Sequence, residues 1–132
     1  MAYTTVFPIL HSDDRKALIA FYTEAMGLPI TYQFPPEGEP DFVVVSIGEA
    51  NIGIGDYTGV EEMLGSVARG GNPFQLCIYT DDLDGDLARL RAAGTPIHRD
   101  PEDQPWGERM CYISDPDGNL IMLAQPLPGA VA

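Results

Sequence analysis

Residues 9 to 30, ILHSDDRKALIAFYTEAMGLPI, are echoed sixty-eight positions later by residues 78 to 97, IYTDDLDGDLARLRAAGTPI. Each copy reads as strand, Asp-Asp turn, helix, glycine stop, proline and new strand. A lone copy of such a unit cannot close a core, so two copies must share a sheet, and the expected place for a ligand is between the halves. The whole chain of 132 residues fits one domain.

Local signals fill in the pattern. TTVFPIL at 4 to 10 reads as a strand, and Ser12, Asp13 and Asp14 supply oxygens that cap a helix start. Ala17, Leu18, Phe21, Tyr22 and Met26 recur at helical spacing, and Gly27 ends the run. Strands are expected at 30 to 34, 41 to 48 and 51 to 56, the last two as a hairpin about Glu49 and Ala50. A connector at 58 to 72 holds a short helix near 60 to 68 and the glycine pair 70 and 71. The second copy repeats the design with Asp81 and Asp82 as cap, Leu83, Leu87 and Leu90 as stripe and Gly94 as stop. It continues with a short strand at 96 to 99, an acidic loop DPEDQPWG, a strand at 108 to 114, a DPDG turn and a last strand NLIMLAQ. Each half is therefore β-α-β-β-β: module 1 spans about 3 to 57 and module 2 about 73 to 125.

Charge and composition limit the partners. Twenty acidic against seven basic residues give a net charge of −13, which opposes phosphate backbones and anionic membranes and reads either as a solvated face or as attraction for a cationic ligand. Nucleic acid and membrane are excluded as expected partners; no apolar run reaches the roughly 18 residues of a membrane span. The amino terminus has no leader pattern, and Cys77 and Cys111 read as buried free thiols of a reducing, cytoplasmic setting. The short glycine groups lack the strand-to-helix context of a phosphate loop, and DPDG lacks the further oxygens of a calcium loop.

Strand parity selects candidate lining residues, because side chains two apart share a face. Val6, Pro8 and Leu10 should lie beneath the helix, opposite Phe7, Ile9 and His11. Phe74, Leu76 and Ile78 likewise oppose Gln75, Cys77 and Tyr79, and Leu120, Met122 and Ala124 should share the cavity face.

Three segments resemble the vicinal oxygen chelate superfamily of glyoxalases, extradiol dioxygenases and bleomycin-resistance proteins. They are Ile9 to Asp14 running to Gly27 and Leu28, Asp81 to Asp84 running to Gly94, and Trp106-Gly107 running to Asp115-Pro116-Asp117-Gly118-Asn119. The resemblance implies an α+β fold: two paired βαβββ modules forming a curved mixed sheet around a cavity, helices outside, commonly in a homodimer. It also implies four metal-ligand positions, which fall here on Phe7, near Ile54, on Gln75 and on Met122. Phe7 and Met122 offer apolar surface where a hard cation needs oxygen or imidazole nitrogen. The expectation is therefore no metal, no cofactor and no catalytic residue.

The likeness is then to the metal-free, bleomycin-resistance-like branch, which sequesters a small aromatic natural product or antibiotic. The candidate ligand-binding residues are Phe7, Ile9, His11, Ile54, Gln75, Tyr79, Trp106, Tyr112 and Met122. Trp106, the only tryptophan, can stack on a flat or cationic group or simply cap the sheet end, and Tyr79 and Tyr112 can pack across strands instead. The alternative is a metal-dependent lyase, isomerase or dioxygenase whose displaced ligands include His11, Gln75 or His98.

Overall fold

The computed structural model describes residues 5–66, 69 and 74–129. The chain divides into two compact units, Met1–Arg69 and Gly70–Ala132. The architecture is α+β, with a four-stranded mixed sheet in each unit. Among the described residues no helix is long and apolar enough to cross a membrane.

The first unit contains β1 (Ile9–Ser12), α1 (Arg15–Ala20), β2 (Ile30–Phe34), β3 (Phe42–Ile47), β4 (Ala50–Asp56) and α2 (Tyr57–Leu64). Its strand order is β1-β4-β3-β2, with β1 parallel to β4 and the other pairs antiparallel. Alternation decides the faces. Leu10, Val43, Val45, Ile52 and Ile54 are buried on one side of the sheet. The helical segment contributes Leu18, Phe21 and Tyr22 to the same core, and α1 packs on β1 and β4. Leu18 is fully buried, so truncation to alanine would cost about 2–5 kcal/mol.

The second unit contains β5 (Leu76–Tyr79), α3 (Leu83–Ala92), β6 (Ile97–Asp103), β7 (Glu108–Ser114) and β8 (Leu120–Pro126). Its order, β5-β8-β7-β6, reproduces the first topology strand for strand. Leu83, Leu87 and Leu90 of α3 are buried, as are Ile78, Cys111, Ile113, Ile121 and Leu123.

The helix starts are the same device twice. Ser12 Oγ accepts from the Asp14 amide at 2.8 Å, and Asp14 Oδ1 accepts from the Ala17 amide at 3.2 Å. Thr80 Oγ1 accepts from Asp82 N at 3.2 Å, and Asp82 Oδ1 from Gly85 N at 3.2 Å. Each carboxylate satisfies an amide that has no partner within the helix.

The copies differ inside the helix. Asp14 lies thirteen residues before Gly27, whereas Asp82 lies twelve before Gly94. The first helix absorbs the extra residue by opening into a π-helical turn over Phe21–Ala25. Both glycines still take positive φ, +73° at Gly27 and +81° at Gly94, so both chains leave the helix alike.

Several boundaries depart from the sequence-based expectation. Residues 5 to 8 are not strand, and β1 begins at Ile9, although the Pro8 carbonyl accepts from Gly53 N at 2.8 Å. The β3–β4 turn falls on Gly48 and Glu49, because Gly48 has φ +57°. The connector helix runs from Tyr57 to Leu64 and not near 60 to 68; the expected glycine pair lies outside the described residues. The first half of the expected acidic loop is strand, since β6 runs to Asp103 through irregular register against β7. Its charges do not prevent this because Arg91 pairs with Asp100, Arg99 with Glu102 and Arg109 with Asp103. Cys77 is exposed, contrary to the expected buried thiol, because the face of β5 away from α3 carries it; Cys111 is buried.

Candidate functional site

Each sheet has one face against its helix and one away from it, and the second carries the candidate side chains. In the first unit, Ile9 is level with Gly53 and His11 with Gly55. Val44 also pairs with Gly53, Tyr32 with Val44, and Phe34 with Phe42. Laterally paired residues share a face, so this face holds Ile9, His11, Tyr32, Phe34, Phe42 and Val44. Ile9, Tyr32 and Phe34 are exposed large apolar groups. Phe7 precedes β1 and is 37% exposed.

The two glycines of β4 make room for an aromatic ring. A Cβ on Gly53 would meet Phe42 Cζ at 2.9 Å, and one on Gly55 would meet Phe42 Cδ1 at 3.3 Å. Tyr32 sets its ring edgewise to Phe42, with centroids 6.3 Å apart. His11 lies 5.6 Å from the Tyr57 ring, whose face is covered by the Arg69 guanidinium at 4.2 Å.

Ile54 does not belong with Phe7, Ile9 and His11. It is level with Leu10 and Val43, and it is completely buried beneath the helix. One step of a strand reverses the face, and the residues of β4 on the face away from the helix are Gly53 and Gly55. The expectation near Ile54 located the strand and missed its parity.

In the second unit, Cys77 is level with Met122 and Tyr79 with Ala124. Tyr112 is also level with Met122, and Met110 with Ala124. Glu108 lies two residues before Met110 on the same strand, so it projects to the same face. The structure therefore brings together Tyr79, Tyr112 and Met122 and adds Cys77, Met110 and Glu108. Gln75 is exposed and immediately precedes β5.

Glu108 is the residue that sequence reasoning missed. Trp106 Nε1 donates to Glu108 Oε1 at 2.8 Å, and the Tyr79 hydroxyl is close enough to Glu108 for the carboxylate to shift its titration. That carboxylate pushes the Tyr79 phenol up to about 12, because the hydrogen bond and the negative charge both favour the neutral ring. Burial, then the charge of Glu108, raises Cys77 above its ordinary value, while a hydrogen bond to Tyr79 opposes them. A tight turn positions the indole: Gly107 N donates to Gln104 O at 3.1 Å, and Gln104 N to Glu108 O at 2.7 Å. The available signal was the i, i+2 spacing of Trp106 and Glu108 across a glycine.

The metal-ligand positions implied by the resemblance do not fit a divalent cation. They present a phenyl ring at Phe7, an amide at Gln75, a thioether at Met122 and, at Ile54, a side chain on the wrong face. Among the described residues no group of three or more His, Cys, Asp or Glu side chains is arranged to hold a metal. His98 Nε2 and Ser114 Oγ are hydrogen-bonded at 2.9 Å. His98 lies on β6, with β7 and β8 between it and the Gln75 edge, so these two cannot share an ion. Asp115 is likewise committed locally: its carboxylate accepts from Asp117 N at 3.0 Å, Asn119 N at 2.9 Å and Asn119 Nδ2 at 2.8 Å. This is a turn lock, as the DPDG reading expected.

Comparison with known proteins follows the same lines. The family model for the Glyoxalase/Bleomycin resistance protein/Dioxygenase superfamily matches residues 6–123. An uncharacterized protein of Mycobacterium bovis is 29% identical over 126 residues, covering 91% of this chain and 82% of the relative. The Bleomycin resistance protein of Klebsiella pneumoniae is 26% identical over 125 residues and covers 89% of each chain. A solved structure of lactoylglutathione lyase from Agrobacterium tumefaciens superposes with TM-score 0.68 at 24% identity, over 94% of this chain and 95% of that one, a likeness of fold. With the family model spanning both βαβββ units, the chain belongs to the Glyoxalase/Bleomycin resistance protein/Dioxygenase superfamily.

Proposed function

We propose that this protein binds and sequesters a small aromatic natural product or antibiotic, without metal and without turnover, and that it does so as a homodimer. One observation carries the reading: Phe7, Gln75 and Met122 stand at the positions where the metal-dependent members are expected to place ligands. Within each unit the neighbours are aromatic, Tyr32 and Phe34 in the first and Tyr79, Trp106 and Tyr112 in the second, and such ring surfaces suit an apolar, flat ligand better than a hydrated ion. The similarity to a protein named for bleomycin resistance supports binding over chemistry. The net charge of −13 favours a cationic ligand.

The test is metal analysis of protein purified without chelator, run beside fluorescence titration with metal-free bleomycin. The expected result is metal well below one equivalent and saturable quenching of the single tryptophan. Stoichiometric divalent metal, together with an activity abolished by chelator, would overturn the proposal. Sizing with light scattering at micromolar concentration should give twice the chain mass; a monomer would remove the homodimer.

A further inference from the structure

All seven basic residues of the chain are engaged in ion pairs. Arg15 pairs with Asp56, Lys16 with Glu39, Arg69 with Asp13 and Glu61, Arg89 with Asp86, Arg91 with Asp100, Arg99 with Glu102, and Arg109 with Asp84 and Asp103. Glu108 is paired with none of them. Its side-chain hydrogen bond comes instead from a neutral aromatic donor, the Trp106 indole, and the neutral Tyr79 hydroxyl is its other polar neighbour. Neutral donors orient a carboxylate and leave its negative charge in place.

The surroundings of that charge distinguish it from the other unpaired acids. Trp106 is 61% exposed and Tyr79 is 57% exposed, so both rings are accessible while their polar atoms are turned to the carboxylate. Tyr112, Met110 and Met122 floor the same face of the sheet. An oriented carboxylate between accessible aromatic rings is the arrangement that attracts an organic cation: the charge supplies the Coulombic attraction and the electron-rich ring faces take up the desolvated cation. An inorganic ion would be served poorly, since one carboxylate and two rings offer it too few oxygen ligands.

We propose that Glu108, held by Trp106 and Tyr79, is a recognition subsite for the cationic group of the ligand, a quaternary ammonium or protonated amine attached to an aromatic system. This rests on the sequestration reading above and adds to it the residue that selects charge. Trp106 has two parts in it, as a stacking surface and as the donor that aims the carboxylate.

Two probes of similar shape separate charge from aromaticity: N-methylquinolinium, permanently cationic, and quinoline, neutral at pH 8. Equilibrium dialysis of the wild-type protein should show the cation bound at least tenfold more tightly. E108Q keeps the size of the side chain and an oxygen to accept from the indole, and removes the charge. It should bring the two affinities within about twofold of each other, with the loss falling on the cation. E49Q changes the net charge equally on the β3–β4 turn and should leave the tenfold preference intact. The subsite is overturned if E108Q retains the preference, or if E49Q abolishes it as fully as E108Q does. Quinoline binding in those cases leaves aromatic sequestration standing, whereas failure of the wild type to bind either probe or bleomycin removes both proposals.

Discussion

The ring of Phe42 lies over the backbone of Gly53, so close that a methyl group on Gly53 would sit 2.9 Å from Phe42 Cζ and 3.0 Å from Ile9 Cγ1. The glycine is thus a packing requirement of the sheet face on which the candidate aromatic residues lie. A strand glycine without this neighbour would be weakly disfavoured; here the ring occupies the space of the missing side chain.

G53A is therefore expected to destabilise the protein by about 1–3 kcal/mol, the usual cost of overpacking. Urea unfolding checks it, and the same substitution made in an F42L background should cost clearly less, because the crowding partner has been changed. Equal costs in both backgrounds would show that the ring is not the cause.

Tyr79 gives a pH signature. Its phenol is pushed up to about 12 by the hydrogen bond to Glu108 and by that residue's charge. The neutral ring is the favoured form, so the contribution is fully present below the ordinary phenol pKa of about 10 and is lost as pH rises through about 12. Absorbance at 295 nm should show a late-titrating phenol in the wild type that is absent in Y79F. E108Q should move that phenol back toward 10; a titration unchanged in E108Q would contradict the contact.

The cysteines should differ in reactivity. Cys77 is exposed on the face away from α3, whereas Cys111 is fully buried and pushed up to about 11, chiefly by burial. Access and thiolate content both set the rate. With a disulfide reagent at pH 8, one thiol per chain should react in the native protein and the second only on unfolding, and C77S should remove the first. Two thiols reacting at the same rate in the native protein would contradict the burial of Cys111.

Much of the fold was legible because its signals are local. Asp14 and Asp82 each precede an apolar stripe, and a glycine follows each stripe, so the two helices and their flanking strands could be read without any partner. Alternation likewise placed Leu10 and Ile78 inward and Ile9 and Tyr79 outward. Ile54 failed because assigning a position to β4 does not fix its parity: Ile54 is level with Leu10 and Val43 on the helix side, whereas Gly53 and Gly55 face the other way.

The sequence by itself determined that there are two βαβββ units and where their helices begin and end. These follow from spacing along the chain. Tertiary structure alone decided which residues stand side by side: the Phe42 ring over Gly53, Tyr79 and Trp106 both turned to Glu108, and the π-helical turn that absorbs an extra residue before Gly27. The reason is that lateral neighbours are set by the register between strands distant in sequence, and register is fixed only when the strands pair and their helix-facing side chains are buried.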